Sequence, residues 1–391
     1  MSPEGYGSRL LAQFDHDPRT RTVFGPGVLS RLGELARAIG ARRTLLVTDP
    51  GIVRAGHAAR AQELLRQARI EVAVFDGVEE NPTTRHVEAG LAFAREHRID
   101  SLVGLGGGSS MDCAKGINFL HTCGGEMADY CGIGKAGRPM LPLVAVPTTA
   151  GTGSESQSFA LISDPVTHRK MACGDKEASA RIAILDPELT LTQPRLVTAA
   201  TGIDAVSHAI ETYVTRASNA LSRAYSLAAW RLLAASFSTV LDGPADLDAR
   251  SGMLLGASFA GCAIENSMLG AAHAAANPLT ARYGVVHGHA IGMVLPHVVR
   301  FNASVAGDDY RDLAAIAGRS AGAGETGAEA LARALVDLHA ATGLPRSLRE
   351  AGVEEDRLPD LSREAAEQWT AGFNPRPVGE KEFLEIYRCA F

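Results

Sequence analysis

Residues 101–115 read Ser-Leu-Val-Gly-Leu-Gly-Gly-Gly-Ser-Ser-Met-Asp-Cys-Ala-Lys. The first five, Ser101 to Leu105, form a short apolar run closed by glycines, the pattern of a buried strand. The continuation cannot stay extended. Gly106, Gly107 and Gly108 allow the backbone to approach an anion closely, and with Ser109 and Ser110 they lead into a helix whose first N–H groups lack intrahelical partners. The spacing is not GxGxxG, and a glycine cluster alone is equally compatible with a tight turn. The residues that follow add weight, because Asp112 and Lys115 fall on one face of the first helical turns.

Working outward, the same texture recurs. Thr44 to Thr48 (TLLVT), Glu71 to Phe75 (EVAVF) and Met140 to Val146 (MLPLVAV) read as strands, whereas Ala58 to Ala68 and Val87 to Glu96 read as helices. Strands alternating with helices imply βαβ units and a parallel sheet, with ligands beyond the carboxyl ends of the strands. A second loop, Pro147-Thr-Thr-Ala-Gly-Thr-Gly-Ser-Glu155, follows a strand and is dense in hydroxyls and glycines. With the first loop it forms a candidate cofactor cleft; alone it could be a capped turn. Asp49 follows the first of these strands, where a carboxylate can accept bonds from an adenosine ribose and repel a 2′-phosphate, favouring NAD over NADP. Asp49-Pro50-Gly51 is also good turn chemistry.

From about Pro194 the pattern changes to long Ala/Leu-rich periodic segments at 199–213, 221–232, 250–265 and 328–338. The expected architecture is an α/β domain over residues 1–190 and an all-helical domain over 191–391. The 391 residues, 46% apolar and 21% charged, suit two globular domains. A net charge of −6 and the absence of a basic run exclude a nucleic-acid footprint. Only Lys115, Lys135, Lys170, Lys176 and Lys381 are lysines among 38 basic residues, so a Lys within a motif is not routine surface charge. No leader or membrane span is legible, and the six cysteines lack CxxC spacing; a reducing cytoplasm is expected.

The helical half carries the second constellation. Asp204 and His208 lie four apart in Gly-Ile-Asp-Ala-Val-Ser-His-Ala-Ile-Glu (202–211), so both project from one face of a helix. His273 and His287 follow. On one straight helix they would stand about 21 Å apart, too far to share an ion. Pro278 and Gly284 between them imply a break and a reversal. Asp plus three His is a donor set for a divalent transition ion, Fe²⁺ or Zn²⁺. His289 and His297 read as residues behind the ligands or within the core.

Together GGGSSMDCAK (106–115), PTTAGTGSE (147–155), GIDAVSHAIE (202–211) and the His273/His287 segment resemble the iron-containing, or group III, alcohol dehydrogenases. The resemblance extends to Val23-Phe-Gly-Pro-Gly27, Glu80-Asn-Pro-Thr83, Leu295-Pro-His-Val298 and Asn374-Pro-Arg376. It implies a dehydroquinate-synthase-like fold with an ion in the cleft between the domains. It implies metal ligation by Asp204, His208, His273 and His287, pyrophosphate on Gly106, Gly107, Gly108 and Ser109, and ribose on Asp49. Asn81, Asp112, Thr148, Thr149, Thr152 and Lys170 match positions around the dinucleotide. One departure stands out: many members carry a histidine where this chain has Asn277, and an amide cannot titrate near neutral pH.

The resemblance implies a metal-dependent, NAD(H)-linked alcohol dehydrogenase or aldehyde reductase acting on a small molecule, most simply with Fe²⁺, and a homodimer or larger homo-oligomer. No nucleic acid or membrane partner is expected. Alternatives are an oxidoreductase for a hydroxy acid or functionalised aldehyde, a lyase or polyol dehydrogenase on the same scaffold, and a non-catalytic metal- or nucleotide-binding protein.

Overall fold

The computed structural model describes residues 12–166, 170–322 and 324–391. The chain divides into two compact units, Asp17–Gln193 and Pro194–Phe391, the second including residues 12–16.

The first unit runs β1 (Arg21–Phe24), α1 (Leu32–Ala38), β2 (Arg43–Val47), α2 (Pro50–Arg54), α3 (His57–Gln67), β3 (Glu71–Phe75), α4 (Thr84–Glu96), β4 (Ser101–Gly106), α5 (Gly108–Cys123), β5 (Gly132–Ile133), β6 (Leu143–Pro147), β7 (Phe159–Ser163), β8 (Lys170–Gly174) and β9 (Ile182–Leu185). Six strands form one sheet in the order β1-β9-β6-β4-β2-β3, and every pairing in it is parallel.

Alternation along each strand sends successive side chains to opposite faces. Leu45, Val47, Leu102 and Ala145 pack with Val87, Leu91 and Ile117 of α4 and α5. Their neighbours Leu46, Val103, Val144 and Val146 pack with Leu32, Leu35, Ala61 and Leu65 of α1 and α3. Because helices cover both faces, the inner strands are near-continuously apolar, as in Leu45 to Val47, Leu143 to Val146 and Ile182 to Leu185.

β2 pairs with β3 on one side and β4 on the other. The chain therefore leaves β2 in one direction and returns across it, and such a reversal opens a crevice beyond the carboxyl ends of the two diverging strands. Asp49 follows β2, and the glycine run ends β4. Local pattern does not announce β1, β9 or the small sheet β5-β8-β7. These strands are two to five residues long, too short for a period to declare itself.

The second unit contains α6 (Arg195–Val214), α7 (Ala220–Asp242), α8 (Leu247–Glu265), α9 (Ala271–Tyr283), α10 (His287–Ile316), α11 (Gly327–Thr342), α12 (Leu358–Ala366) and α13 (Glu380–Ala390), with no strand among the described residues. α6 is buried on all sides from 202 to 215, packed by α7, α8 and α10. Burial on all sides extends to polar residues: Asp204, Ser207, His208, Glu211 and Thr212 are enclosed along with the apolar ones, so each needs a partner within the protein or a ligand. A Cβ at Gly202 would fall 2.3 Å from the Phe237 ring, so glycine is what lets α7 approach.

The expected break between His273 and His287 is present, with one correction. Pro278 sits inside α9 without ending it. It removes only the helical bond to the Ala274 carbonyl, and packing carries the helix through that loss. The reversal is made at Gly284, which caps α9 with φ 62°. No helix among the described residues is long and apolar enough to cross a membrane.

Candidate functional site

α6 brings Asp204 and His208 to one face, α9 contributes His273 from its first turn, and α10 begins at His287. The three Nε2 atoms converge on one oxygen. His208 is 3.4 Å, His273 3.5 Å and His287 3.9 Å from Asp204 Oδ1. The usable ligand atoms of Asp204, His208 and His273 lie within 4.8 Å of one another. These separations are too long for good hydrogen bonds. They suit donors around a common ion, since two ligands about 2.1 Å from a metal at a tetrahedral angle stand about 3.4 Å apart.

Asp204 Oδ1 and His273 Nε2 are buried with no hydrogen-bond partner among the described residues. Buried polar atoms in such a position are costly unless something satisfies them, and a divalent cation would satisfy both. The side chains of Asp204, His208 and His273 are at most 10% exposed, whereas that of His287 is 24% exposed. The cluster therefore opens to solvent on the His287 side.

Electrostatics agree with this geometry. Burial opposes ionisation of Asp204, yet His208, His273 and His287 outweigh it and hold the carboxyl below its usual range. Burial likewise disfavours the imidazolium of His273, but Glu211 and Asp204 outweigh it and raise the pKa to about 9. A field that holds a proton so firmly also attracts a metal cation.

Glu211 belongs to the site although its sequence context does not single it out. Its Oε2 is 2.5 Å from His273 Nδ1, and its Oε1 accepts the Ala272 N–H at 2.7 Å. A carboxylate can only accept, so Nδ1 carries a proton directed at Glu211, and Nε2 is the nitrogen that faces the cluster and would give its lone pair to an ion in exchange for the proton it holds. A signal exists in the spacing: Glu211 lies seven residues after Asp204 and three after His208, on the same helical face.

Gly288, beside His287, has a steric role. A Cβ there would lie 1.9 Å from the Ala200 carbonyl oxygen. Gly288→Ala is expected to push the start of α10 off α6 and destabilise the protein by about 1–3 kcal/mol. An unchanged urea midpoint would contradict that contact. Asn277 lies one turn beyond His273, and its Nδ2 donates to Gln368 Oε1 at 3.0 Å. His289 and His297 are partly buried on α10, where burial pushes both pKa values down to about 4.

In the other unit, Asp49 takes the turn role its sequence allowed and also meets the glycine loop. Oδ1 caps α2 by accepting from Gly51 N at 2.8 Å and Ile52 N at 3.1 Å, while Oδ2 accepts from Ser110 Oγ at 3.3 Å. Gly106 has φ 149°, and a Cβ on it would fall 2.4 Å from Ser110 Oγ. A Cβ on Gly108 would be 2.8 Å from Thr152, and one on Gly107 would be 3.3 Å from Thr149. Thr148 N donates to the Gly106 carbonyl at 2.9 Å. The two loops therefore form one surface beside the start of α5, which has no side-chain cap, so that its first N–H groups would suit an anion.

Asp112 and Lys115 lie beneath this surface. Asp112 accepts from Ser154 Oγ at 2.6 Å and Leu161 N at 3.3 Å. Lys115 donates to Ser154 O, Ser154 Oγ and Phe159 O at 2.7, 2.9 and 2.8 Å. Burial nevertheless raises the Asp112 pKa, opposed by the Lys115 charge and the Ser154 hydrogen bond. Both side chains fix the second loop. Asn81, in the left-handed region at φ 54°, precedes Pro82, whose carbonyl accepts Ser163 N at 2.9 Å. Ser163 pairs with Lys170 across β7 and β8, so these two sequence candidates border the same strand end.

Comparison with known proteins agrees with both halves. The family described as iron-containing alcohol dehydrogenase matches residues 18–187, and its C-terminal counterpart matches residues 198–391. The chain is 37% identical to 1,3-propanediol dehydrogenase of Citrobacter freundii over 97% of its own length and 99% of that protein's. It is 34% identical to lactaldehyde reductase of Escherichia coli K12, covering 94% and 97% of the two chains. A crystal structure of 1,3-propanediol oxidoreductase superposes with a TM-score of 0.93 at 36% identity, covering 97% of this chain and 100% of that one. This chain belongs to the iron-containing alcohol dehydrogenase family.

Proposed function

We propose that this chain is a metal-dependent, NAD(H)-linked alcohol dehydrogenase or aldehyde reductase, with one divalent ion, iron in the first instance, held by Asp204, His208, His273 and His287. The observation that carries the ligand set is the convergence of three imidazole Nε2 atoms on one buried carboxylate oxygen that has no hydrogen-bond partner among the described residues. When bound, the ion supplies Lewis-acid polarisation of an alcohol or carbonyl oxygen, and the nicotinamide supplies the hydride chemistry.

The chain's own residues bind and orient. Glu211 sets the tautomer of His273. Gly106, Gly107, Gly108 and Ser109 receive the pyrophosphate at the start of α5, with Thr148, Thr149 and Thr152 alongside and Asn81 and Lys170 at the neighbouring strand end. Asp112 braces the second loop from below. Asn277 offers an amide where a titrating group would exchange protons, so no side-chain proton donor is assigned there.

The named activities of the relatives, on 1,3-propanediol and lactaldehyde, point to small hydroxylated aldehydes and diols as substrates. A panel of these with NADH tests the reading, and metal and cofactor binding with no turnover on any of them would favour a binding role. A cytoplasmic location and a homodimer are the proposed compartment and assembly, tested by cell fractionation and native mass.

Asp49 gives a sharper test of cofactor choice. Asp49→Ser keeps a residue able to cap α2 and removes the charge that would repel a 2′-phosphate. The NADPH-to-NADH ratio of kcat/KM is expected to rise by at least about tenfold, as loss of a like-charge clash predicts. An unchanged ratio would remove Asp49 from the ribose site.

A further inference from the structure

The Asn374-Pro-Arg376 motif is left without a role by the metal and dinucleotide sites. Asn374 is buried, and every hydrogen-bonding position of its amide is used. Nδ2 donates to Asn302 Oδ1 at 2.8 Å and to the Arg376 carbonyl at 2.6 Å. Oδ1 accepts from Asn302 Nδ2 at 3.0 Å and from Ala271 N at 3.3 Å. An amide with two donors and two acceptors all engaged has one orientation only.

Ala271 is the first residue of α9, and His273 is the third. Gly270, at the cap position, has no side chain to satisfy the first N–H groups of the helix. Two remote residues cap the helix instead, Asn374 by receiving Ala271 N and Glu211 by receiving Ala272 N. The two acceptors crowd the same point, since a Cβ on Gly270 would stand 3.0 Å from Glu211 Oε1 and 3.2 Å from Asn374 Oδ1. The C-terminal segment holds α9 twice more. Gln368 receives Asn277, and the buried Tyr387 hydroxyl donates to the Ala275 carbonyl at 2.6 Å.

We infer that Asn374, locked by Asn302, is a positioning residue for metal binding: with Glu211 it caps the start of α9 and so fixes where His273 presents Nε2. This rests on the ligand assignment above, and it gives the C-terminal segment, which supplies no ligand, control over how tightly the ion is held.

The test is the dissociation constant of the full-length protein for Zn²⁺, measured anaerobically by competition with a chromogenic chelator, alongside the melting temperature of the metal-free form. Asn374→Ala should weaken Zn²⁺ binding about tenfold, within the range for residues that orient a ligand from behind. Trp230→Phe is the control. It removes a buried bond to the Leu313 carbonyl at 2.8 Å, lowers the melting temperature and should leave the constant within about twofold, since it orients no ligand. Should Asn374→Ala not fold, Asn302→Ser carries the same expectation through loss of the lock. A constant no weaker than that of the control overturns the proposal. His273→Ala separates the two ideas: if it loses Zn²⁺ while Asn374→Ala does not, only the positioning role falls. If neither loses Zn²⁺, the ligand assignment falls and takes this inference with it.

Discussion

His273→Ala is expected to leave the purified protein with little or no bound divalent metal and to lower NADH-dependent aldehyde reduction by about a thousandfold or more, the equivalent of roughly 4 kcal/mol of transition-state stabilisation. The substitution removes one of the three imidazoles gathered on Asp204 Oδ1 and also deprives Glu211 of the ring it orients. The fold should survive, because Glu211 still receives the Ala272 N–H and α9 is still held by Asn374 and Tyr387. Elemental analysis beside circular dichroism checks both halves of the statement. Full metal content and turnover in this variant would mean that the ion is held elsewhere. His287→Ala should be milder in metal content, because His287 stands at the solvent-open side of the cluster.

Glu211→Gln is the second large effect, with an expected loss of about 10- to 100-fold in metal affinity. The substitution is nearly isosteric, yet neither orientation of the amide can do what the carboxylate does. With the amide oxygen toward Ala272 N, the NH₂ faces His273 Nδ1, which must then accept and place its proton on Nε2, against the ion. With the amide reversed, the NH₂ opposes the Ala272 N–H. Affinity should fall while turnover at saturating metal largely recovers, a split that general destabilisation would not produce. An unchanged metal constant in Glu211→Gln would show that the tautomer is set by other means.

Much of this is legible from local pattern. Leu45, Val103 and Val144 sit in apolar runs that declare β2, β4 and β6, and the glycines after Leu105 declare the turn into α5. Asp204 and His208 announce themselves by helical spacing. Strands of four residues such as β1 and β9 carry no measurable period, and only their places in the sheet, β9 between β6 and β1, give them identity. The approach of His273 to His287 depends on a chain reversal, and the sequence offers two breakers of which only Gly284 acts.

Glu211 is visible in spacing but indistinguishable from an ordinary helix acid until its partner is placed. Asn277, Gln368, Asn302 and Asn374 are beyond local reading altogether. Their meaning lies in hydrogen bonds between segments far apart in sequence, which no periodicity encodes. Asp112 illustrates the opposite case. Its match to a cofactor motif is legible, but the structure commits its carboxylate to Ser154 and Leu161 beneath the loop.

The central claim, that the Asp204, His208, His273 and His287 cluster holds an ion required for NADH-linked reduction, is tested most directly by metal removal and return. The full-length protein is stripped with chelator, supplied anaerobically with Fe²⁺ or Zn²⁺, and followed by NADH consumption with small aldehydes, with His273→Ala in parallel. The account predicts no turnover when stripped, recovery near one equivalent of metal, and no recovery in His273→Ala. Full turnover by the stripped protein, or equal recovery by the variant, would contradict it.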